Sequence, residues 1–291
     1  MVKHGDLDSS MTKPNKALDV HMGVDGKNFD CTRCHTTTAH QVAGRIYSTP
    51  AAKERKTLVQ DDLTPRITCE SCHTSKPHKE GVKANDHTDK VACQTCHIPA
   101  MALEDPTKTT WDWSQAGQEG RTDDHFTYLK IKGEFTYEQN FKPTYLWFNG
   151  NNEYRYLIGD PLNKDGVTYI DKPAGSIEDK TAKIFPFKLH VAEQPYDVIN
   201  NYLLQPITSG EDGFWTNFDW DNSFKLAEER MGLPYSGEYG FTETYMYWPT
   251  THMVQAADQA LQCDSCHGEN GRMDWEALGY PGDPIEWGGR K

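Results

Sequence analysis

All eight cysteines of this 291-residue chain fall into four copies of one pattern, Cys-x-x-Cys-His. Numbered in chain order, motifs 1 to 4 are Cys31-Thr-Arg-Cys34-His35, Cys69-Glu-Ser-Cys72-His73, Cys93-Gln-Thr-Cys96-His97 and Cys263-Asp-Ser-Cys266-His267. The pattern is the attachment signature of c-type haem, in which two thiols add to the porphyrin vinyl groups and the adjacent imidazole coordinates the iron. A helical turn would align both sulfurs along one ring edge. The motifs therefore predict four covalent haem c groups, with the four motif histidines as iron ligands.

Paired cysteines also build structural zinc sites and disulfide frameworks. Zinc sites do not need a histidine directly after the second cysteine. Histidine fills 12 of the 291 positions, so its presence behind all four pairs favours haem. Disulfides across two-residue loops would stabilise a fold little, and a chain of this length does not depend on disulfides for stability. Haem attachment is the preferred interpretation.

The composition agrees with an interior partly made of cofactor. Only 36% of the residues are hydrophobic, and the mean hydropathy is −0.78. Aromatic residues are plentiful, with 8 Trp, 14 Tyr and 11 Phe that could stack on porphyrin faces. An ordinary aromatic core would give the same counts, so composition alone leaves both interpretations open.

The net charge of −13 restricts the choice of partners. It disfavours nucleic acid and anionic lipid, and it would steer a basic redox protein towards the chain. No stretch approaches the 18 apolar residues of a membrane-spanning helix, and the first ten residues contain no apolar signal-peptide core. Because bacterial haem attachment takes place outside the cytoplasmic membrane, we expect a periplasmic or extracellular protein whose export signal lies upstream of this sequence.

Three stretches differ in character. Residues 1–100 hold three motifs and form a tri-haem segment, residues 101–248 are free of cysteine and rich in aromatics, and residues 249–291 carry motif 4. The middle stretch is interpreted as a structural cover that keeps water from haem edges. The expected fold is one haem-wired domain, mostly α with extensive irregular structure and little β, in which packed haems set the architecture.

A few local elements can be predicted. A β-hairpin is expected from Tyr154 to Ile170 around turn residues 163–166. A short helix is expected from Ser223 to Met231, ended by Gly232. A second helix is expected from Pro249, at its first turn, to about Gln262.

Each iron needs a second axial ligand, and eight histidines lie outside the motifs. Five have spacings that suit ligation of a neighbouring haem: His21, His40, His78, His87 and His252. His40 and His78 each follow a motif histidine by five residues, which is too short to reach the far face of the same haem. His125, His190 and His4 are weaker candidates, and Met253 is the only methionine considered.

Five candidates for four positions allow every iron to be bis-histidine, which favours low potentials and leaves no open binding site. A chain of identical subunits is the other arrangement considered. In that homo-oligomer or filament, an iron near one end would take its second imidazole from the next subunit.

Four stretches carry a family resemblance: HTDKVACQTCHIP (87–99), KPTYLWFNG (142–150), PFKLHVAEQPYD (186–197) and YMYWPTTHMVQAADQALQCDSCHGENGRMDWEALGYPGDP (245–284). They resemble the octahaem tetrathionate reductase family of c-type cytochromes, which is related to hydroxylamine oxidoreductase and pentahaem nitrite reductase. The resemblance implies closely packed haem pairs in parallel and perpendicular stacking, and it makes the five candidate histidines distal ligands. The four motifs match the C-terminal half of that family, whose lysine-ligated catalytic haem belongs to the other half. Lys188 is the one lysine considered as a substitute.

Two functions follow from these observations. The first is an electron carrier with four low-spin haems that passes electrons to redox partner proteins or identical subunits. The second is a reductase of sulfur or nitrogen oxyanions such as tetrathionate, nitrite or hydroxylamine, which needs one open iron beside cationic groups. Lys188, His190 and His125 are the residues it would use.

Overall fold

The computed structural model describes residues 5–35, 37–38, 41–42 and 68–290. Among these, the strands are β1 (Thr37–Thr38), β2 (Gln41–Val42), β3 (Thr107–Asp112), β4 (Tyr128–Leu129), β5 (Gly133–Glu138), β6 (Thr144–Phe148), β7 (Asn152–Arg155), β8 (Thr168–Pro173), β9 (Lys183–Asp197), β10 (Tyr202–Leu203) and β11 (Tyr239–Pro249). The α-helices are α1 (Cys93–His97), α2 (Phe214–Asn217), α3 (Trp220–Met231), α4 (Cys263–Cys266) and α5 (Pro284–Trp287). Short 3-10 turns occupy Ser9–Thr12, Cys31–Arg33, Cys69–Ser71, Lys83–Asp86 and Trp113–Gln115. No described helix has the length and apolar composition needed to cross a bilayer.

Strand β9 is the axis of a nine-stranded mixed sheet whose main path runs β4-β5-β3-β9-β11-β8-β7. One edge of β9 pairs antiparallel with β11 from Phe187 to Asp197. The other edge is shared by β6, β3 and β10, which pair with successive parts of the same strand. A single 15-residue strand thus connects segments that lie far apart in the sequence.

The expectation of a mostly α fold with little β structure is wrong. The longest described helix, α3, has 12 residues, whereas β9 has 15 and belongs to the nine-stranded sheet. Pro186 and Pro195 lie inside β9 and argue against a central strand, because proline has no N–H for the ladder. Both still take part as acceptors: the carbonyl of Pro186 accepts from the Thr250 amide at 3.0 Å, and that of Pro195 from the Leu204 amide at 3.0 Å.

The local predictions had mixed outcomes. The predicted hairpin exists as the antiparallel pair β7 and β8, which begins at Asn152 and ends at Pro173 and so extends beyond both predicted bounds. The predicted helix at Ser223–Met231 exists as α3, which begins three residues earlier behind the Asp219 cap and ends at Gly232 with φ +71°.

The helix predicted from Pro249 to Gln262 is wrong. Pro249 ends β11, and no α-helix begins between Pro249 and Cys263. The intervening amides bind distant partners instead of the preceding helical turn: Thr251 donates to Asp6 at 2.7 Å, and Gln255 donates to the His97 carbonyl at 2.7 Å.

Buried clusters attach motifs 3 and 4 to the sheet. Ala92, directly before motif 3, packs against Phe148, Phe185 and Phe187 of β6 and β9. The Thr95 hydroxyl inside motif 3 donates to the Ile184 carbonyl of β9 at 2.7 Å. A second cluster joins the same strands to the segment after motif 4 through Tyr145, Trp147, Ala182, Ile184, Met273, Leu278 and Tyr280. The cysteine-free stretch therefore supplies the sheet on which these two motifs rest.

Candidate haem sites

Each Cys-x-x-Cys-His motif forms a single helical turn. The amide of the motif histidine donates to the carbonyl of the first cysteine at 2.9 Å in motif 1, 2.8 Å in motif 2 and 3.0 Å in motif 4. Motif 3 forms α1. Such a turn would let both cysteines attach to one edge of a porphyrin, with the motif histidine available to its iron. All four motifs therefore share a helical-turn backbone.

Every motif histidine faces the ring of a second histidine. The centroid separations are 6.1 Å for His35 and His252, 6.2 Å for His73 and His21, 6.2 Å for His97 and His78, and 6.3 Å for His267 and His87. Imidazole nitrogens bind a first-row metal such as zinc at about 2.0–2.1 Å, and the ring centre lies roughly 1.1 Å behind the nitrogen. Two imidazoles on opposite sides of one metal ion therefore have centroids roughly 6.3 Å apart. The residues present fit four metal centres, each between two imidazoles.

Four of the five candidate histidines take part in these pairs. Each of them is paired with a motif histidine: His21, His78, His87 and His252. His78 is paired with the histidine of motif 3 and not with that of the adjacent motif 2. His40 lies outside the described residues, as does His4. Met253 is fully buried in an apolar cluster with Met11 and Leu18.

The residues considered for a reductase lie in different surroundings. Lys188 is fully buried on β9, and its ammonium group donates to the Thr107 hydroxyl at 2.9 Å and to the Lys108 carbonyl at 3.0 Å. The Nδ1 atom of His190 lies 3.1 Å from the same carbonyl. His125 is on an exposed segment. Lys188 and His190 of β9 are thus brought together at the carbonyl of Lys108, a residue of β3.

Two parts of the chain match known families of cytochrome c. Residues 108–270 match the family described as "Cytochrome c bacterial", and residues 15–98 match "Cytochrome c7 and related cytochrome c". The chain belongs to the bacterial cytochrome c family. Membership of this family indicates that the protein binds haem c covalently.

A solved structure extends the similarity over almost the whole chain. The structure of octahaem cytochrome c from Shewanella oneidensis has 45% sequence identity and a TM-score of 0.87, and the alignment covers 98% of this chain. The chain spans 65% of the length of that octahaem cytochrome. No curated protein sequence matches the chain.

Burial and carboxylates set the charge of the facing histidines in this cytochrome. Burial is the main cause that lowers the pKa of His87 and of His97, which favours the neutral, metal-binding form. Burial acts the same way on His252, but the hydrogen bond and charge of Asp6 outweigh it and raise the pKa of that imidazole. Burial by itself would raise the pKa of the Asp6 carboxyl. The His252 ring and the hydrogen bond from the Thr251 amide outweigh burial, and the pKa of Asp6 is lowered overall. Asp6 is therefore held ionised behind His252.

Neighbouring motifs approach one another through their cysteines. Burial and then the charge of the Cys72 sulfur raise the pKa of the Cys34 thiol, so motifs 1 and 2 are near enough for their cysteines to interact. A hydrogen bond joins the sulfurs of Cys69 and Cys93, in motifs 2 and 3. Burial and then Cys266 raise the pKa of Cys96, and the Cys96 carbonyl accepts from the Leu261 amide at 3.0 Å just before motif 4. Successive motifs are therefore neighbours in space.

Sequence reasoning missed the carboxylates behind these histidines. Asp6 lies 3.4 Å from His252 Nδ1, Asp19 lies 3.9 Å from His21 Nδ1, and Asp283 lies 2.6 Å from His267 Nδ1. Asp6 meets a residue 246 positions away, so no spacing rule identifies it. Asp283 precedes Pro284, which marks a helix cap, but nothing in that signal points to His267.

Proposed function

We propose that this chain is a tetrahaem c-type cytochrome that transfers electrons through four bis-histidine sites. The observation that carries the proposal is the set of four facing histidine pairs, each with the spacing that a metal between two imidazoles requires. If each pair held one haem iron, both imidazoles would come from this chain, and no iron would be left for a small molecule. The proposal agrees with membership of the bacterial cytochrome c family.

Each site draws its residues from separated parts of the chain. The cysteines of one motif would anchor the porphyrin, the motif histidine would bind one axial position, and the facing histidine would bind the other. When bound, haem c supplies one-electron chemistry at iron. Burial lowers the pKa of His87 and of His97 and so favours their neutral form, and the close approach of the motifs would let an electron reach its next site over a short distance.

The contacts between neighbouring motifs support an electron path in chain order, from motif 1 to motif 4. Motifs 1 and 2, 2 and 3, and 3 and 4 approach each other through their cysteines. Such a path has two ends, so donor and acceptor proteins could bind at different places. A periplasmic or extracellular location would bring it into contact with such redox partners.

The test begins with the purified holoprotein. Its mass should exceed that of the polypeptide by four haem groups, its ferric spectrum should be entirely low-spin, and carbon monoxide should not bind the reduced protein. The variant His87→Ala should make one of the four sites high-spin and able to bind carbon monoxide. The control His125→Ala, on an exposed segment, should leave all four low-spin. Fewer than four haems, or carbon monoxide binding to the wild type, would contradict the proposal.

The alternative is an oxyanion reductase, as the resemblance to octahaem tetrathionate reductase suggests. It needs an open iron, and each of the four facing pairs has two imidazoles. The side chains of Lys188 and His190 both lie within hydrogen-bond distance of the Lys108 carbonyl. Binding of carbon monoxide to the wild type, with turnover of tetrathionate, nitrite or hydroxylamine by reduced protein, would favour this alternative. The filament arrangement predicts one motif histidine without a facing histidine in its own chain, and a filament of purified holoprotein with one such site would favour it.

A further inference from the structure

Gln255 follows the facing histidine His252 by three residues, and its backbone is anchored on motif 3. The Gln255 amide donates to the carbonyl of His97, the motif 3 histidine, at 2.7 Å. That histidine ends α1, and α1 is fixed to the sheet by the hydrogen bond from the Thr95 hydroxyl to the Ile184 carbonyl. The side chain of Gln255 therefore extends from a backbone that is held in place.

The side chain of Gln255 links the two segments that carry His252 and His21. Its Nε2 atom donates to the Leu18 carbonyl at 3.0 Å and to the Met253 carbonyl at 3.1 Å. Leu18 lies three residues before His21, and Met253 directly follows His252. A primary amide has two N–H donors, so one uncharged group holds the chain beside the facing histidines of motifs 1 and 2.

The turn that directly follows His252 has a strained backbone. Met253 has φ +61°, a left-handed conformation that a residue with a side chain rarely adopts unless the surrounding structure holds it. Its side chain is fully buried in the cluster with Leu18 and Met11. Packing of this side chain and the hydrogen bond from Gln255 to its carbonyl therefore act together to hold the turn.

The residue between Met253 and Gln255 adds two contacts between the same segments. The Val20 amide donates to the Val254 carbonyl at 2.9 Å, and the Val254 amide donates to the Asp19 side chain at 3.1 Å. Residues 18–20 and residues 253–255 thus meet along three consecutive positions on each side. A displacement of either segment would disturb the other, and with it the second facing histidine.

We propose that Gln255 is a positioning residue that ties the facing histidines of motifs 1 and 2, His252 and His21, into one unit. Both axial ligands are then held or released together. This inference rests on the proposed bis-histidine function. Hydrogen bonds behind the ligands of a metal fix their orientation, and loss of such bonds weakens metal binding. Because the amide is uncharged and acts on backbone carbonyls, its effect requires no change in protonation.

The first test replaces this amide in the holoprotein. Gln255→Met keeps the length of the side chain and removes both donors. We expect the reduced variant to bind carbon monoxide at the sites of motifs 1 and 2, roughly ten-fold or more faster than any residual binding by the wild type, because two carbonyls lose a donor. The variants His252→Ala and His21→Ala, which each open one of these sites, identify the two by their NMR spectra.

The matched control is Gln259→Met, which removes an exposed amide four residues later and should leave all four sites closed. Binding by Gln255→Met at none of the sites, at only one of the two, or at all four would overturn the inference while the proposed function stands. Binding of carbon monoxide to the native wild type would overturn the proposed function and this inference with it.

The second test needs no variant at position 255. Reduced wild-type holoprotein is kept under carbon monoxide while guanidinium is raised in small steps, and the four sites are followed by NMR. We expect the sites of motifs 1 and 2 to open at one denaturant concentration, before those of motifs 3 and 4, whose motifs are attached to the sheet. Different midpoints for motifs 1 and 2, or opening of all four sites at one midpoint, would overturn the inference.

Discussion

At the scale of single residues, the most unusual acid outside the haem sites is Asp171 on β8. Its side chain is buried, and burial is the main cause that raises its pKa from 3.8 to about 7, against the opposing charge of Arg155. The folded state therefore binds a proton at this carboxyl that the unfolded chain releases at about pH 4. From this group alone, stability is greatest below pH 4 and falls by roughly 1.4 kcal/mol per pH unit up to about pH 7.

The variant Asp171→Asn should remove that pH dependence. We expect it to match the wild type near pH 4 and to exceed its free energy of unfolding at pH 8 by a few kcal/mol, on the order of the shift in pKa. The measurement is denaturant unfolding followed by tryptophan fluorescence at both pH values. Asp165→Asn, on an exposed turn, is the matched control and should differ little at either pH. A gain that is equal at pH 4 and pH 8 would show that titration of Asp171 is not the cause.

Single residues also show what the sequence could and could not reveal about the sites. The motif cysteines and histidines can be identified from five consecutive positions, because attachment chemistry demands that spacing. The pairing of His21 with His73, or of His252 with His35, depends on how distant segments fold together, and only a short list of candidates could be predicted. Asp283 and Gln255 have no signature, because many carboxylates and amide side chains occupy similar sequence contexts.

At the scale of elements, the turn that leads into β5 depends on a glycine. Gly133 has φ +81°, and a Cβ atom there would lie 2.1 Å from the Asp112 carbonyl oxygen of β3. Gly120 also has positive φ, +76°, but has no atom within 4 Å of the added Cβ. The two positions separate the cost of backbone conformation from the cost of a clash with a neighbouring strand.

We expect Gly120→Ala to destabilise the protein by about 1 kcal/mol, the cost of a left-handed conformation at a residue with a Cβ. Gly133→Ala should cost at least about 3 kcal/mol, because the strand must also move away from the Asp112 backbone. Thermal unfolding followed by far-ultraviolet circular dichroism measures both. Similar losses in the two variants would mean that β3 yields easily at this edge of the sheet.

The same scale explains why the fold class was predicted wrongly. Aromatic and β-branched residues from 183 to 197 favour a strand, but two prolines interrupt them, and the four Cys-x-x-Cys-His motifs favoured the expectation of short helices around haems. The long strand forms because β11, β6, β3 and β10 pair with it from distant positions. Helix α3 could be predicted because its cap, apolar spacing and terminal Gly232 all lie within one short segment.

At the scale of the whole molecule, acidic residues are in excess, with 43 Asp and Glu against 30 Lys and Arg. Part of that charge forms one row across four strands, where Glu134 pairs with Asp112, Asp112 with Glu193, and Glu193 with Glu243. Burial, Asp112 and Glu243 raise the pKa of Glu193, as expected for carboxylates on adjacent strands. An acidic surface of this kind attracts cationic proteins and repels anionic ones over the distance of a Debye length.

The rate of electron transfer to a soluble partner should therefore depend on salt with a sign set by the partner. Reduced holoprotein is mixed in a stopped-flow instrument with a small basic cytochrome c, first at 10 mM and then at 200 mM ionic strength. The Debye length shrinks from about 30 Å to less than about 8 Å, so we expect the second-order rate constant to fall on the order of ten-fold. With an acidic acceptor of similar potential, the rate constant should rise over the same change, because the repulsion is screened. If both acceptors respond to salt in the same direction, long-range attraction by the acidic surface does not control the encounter.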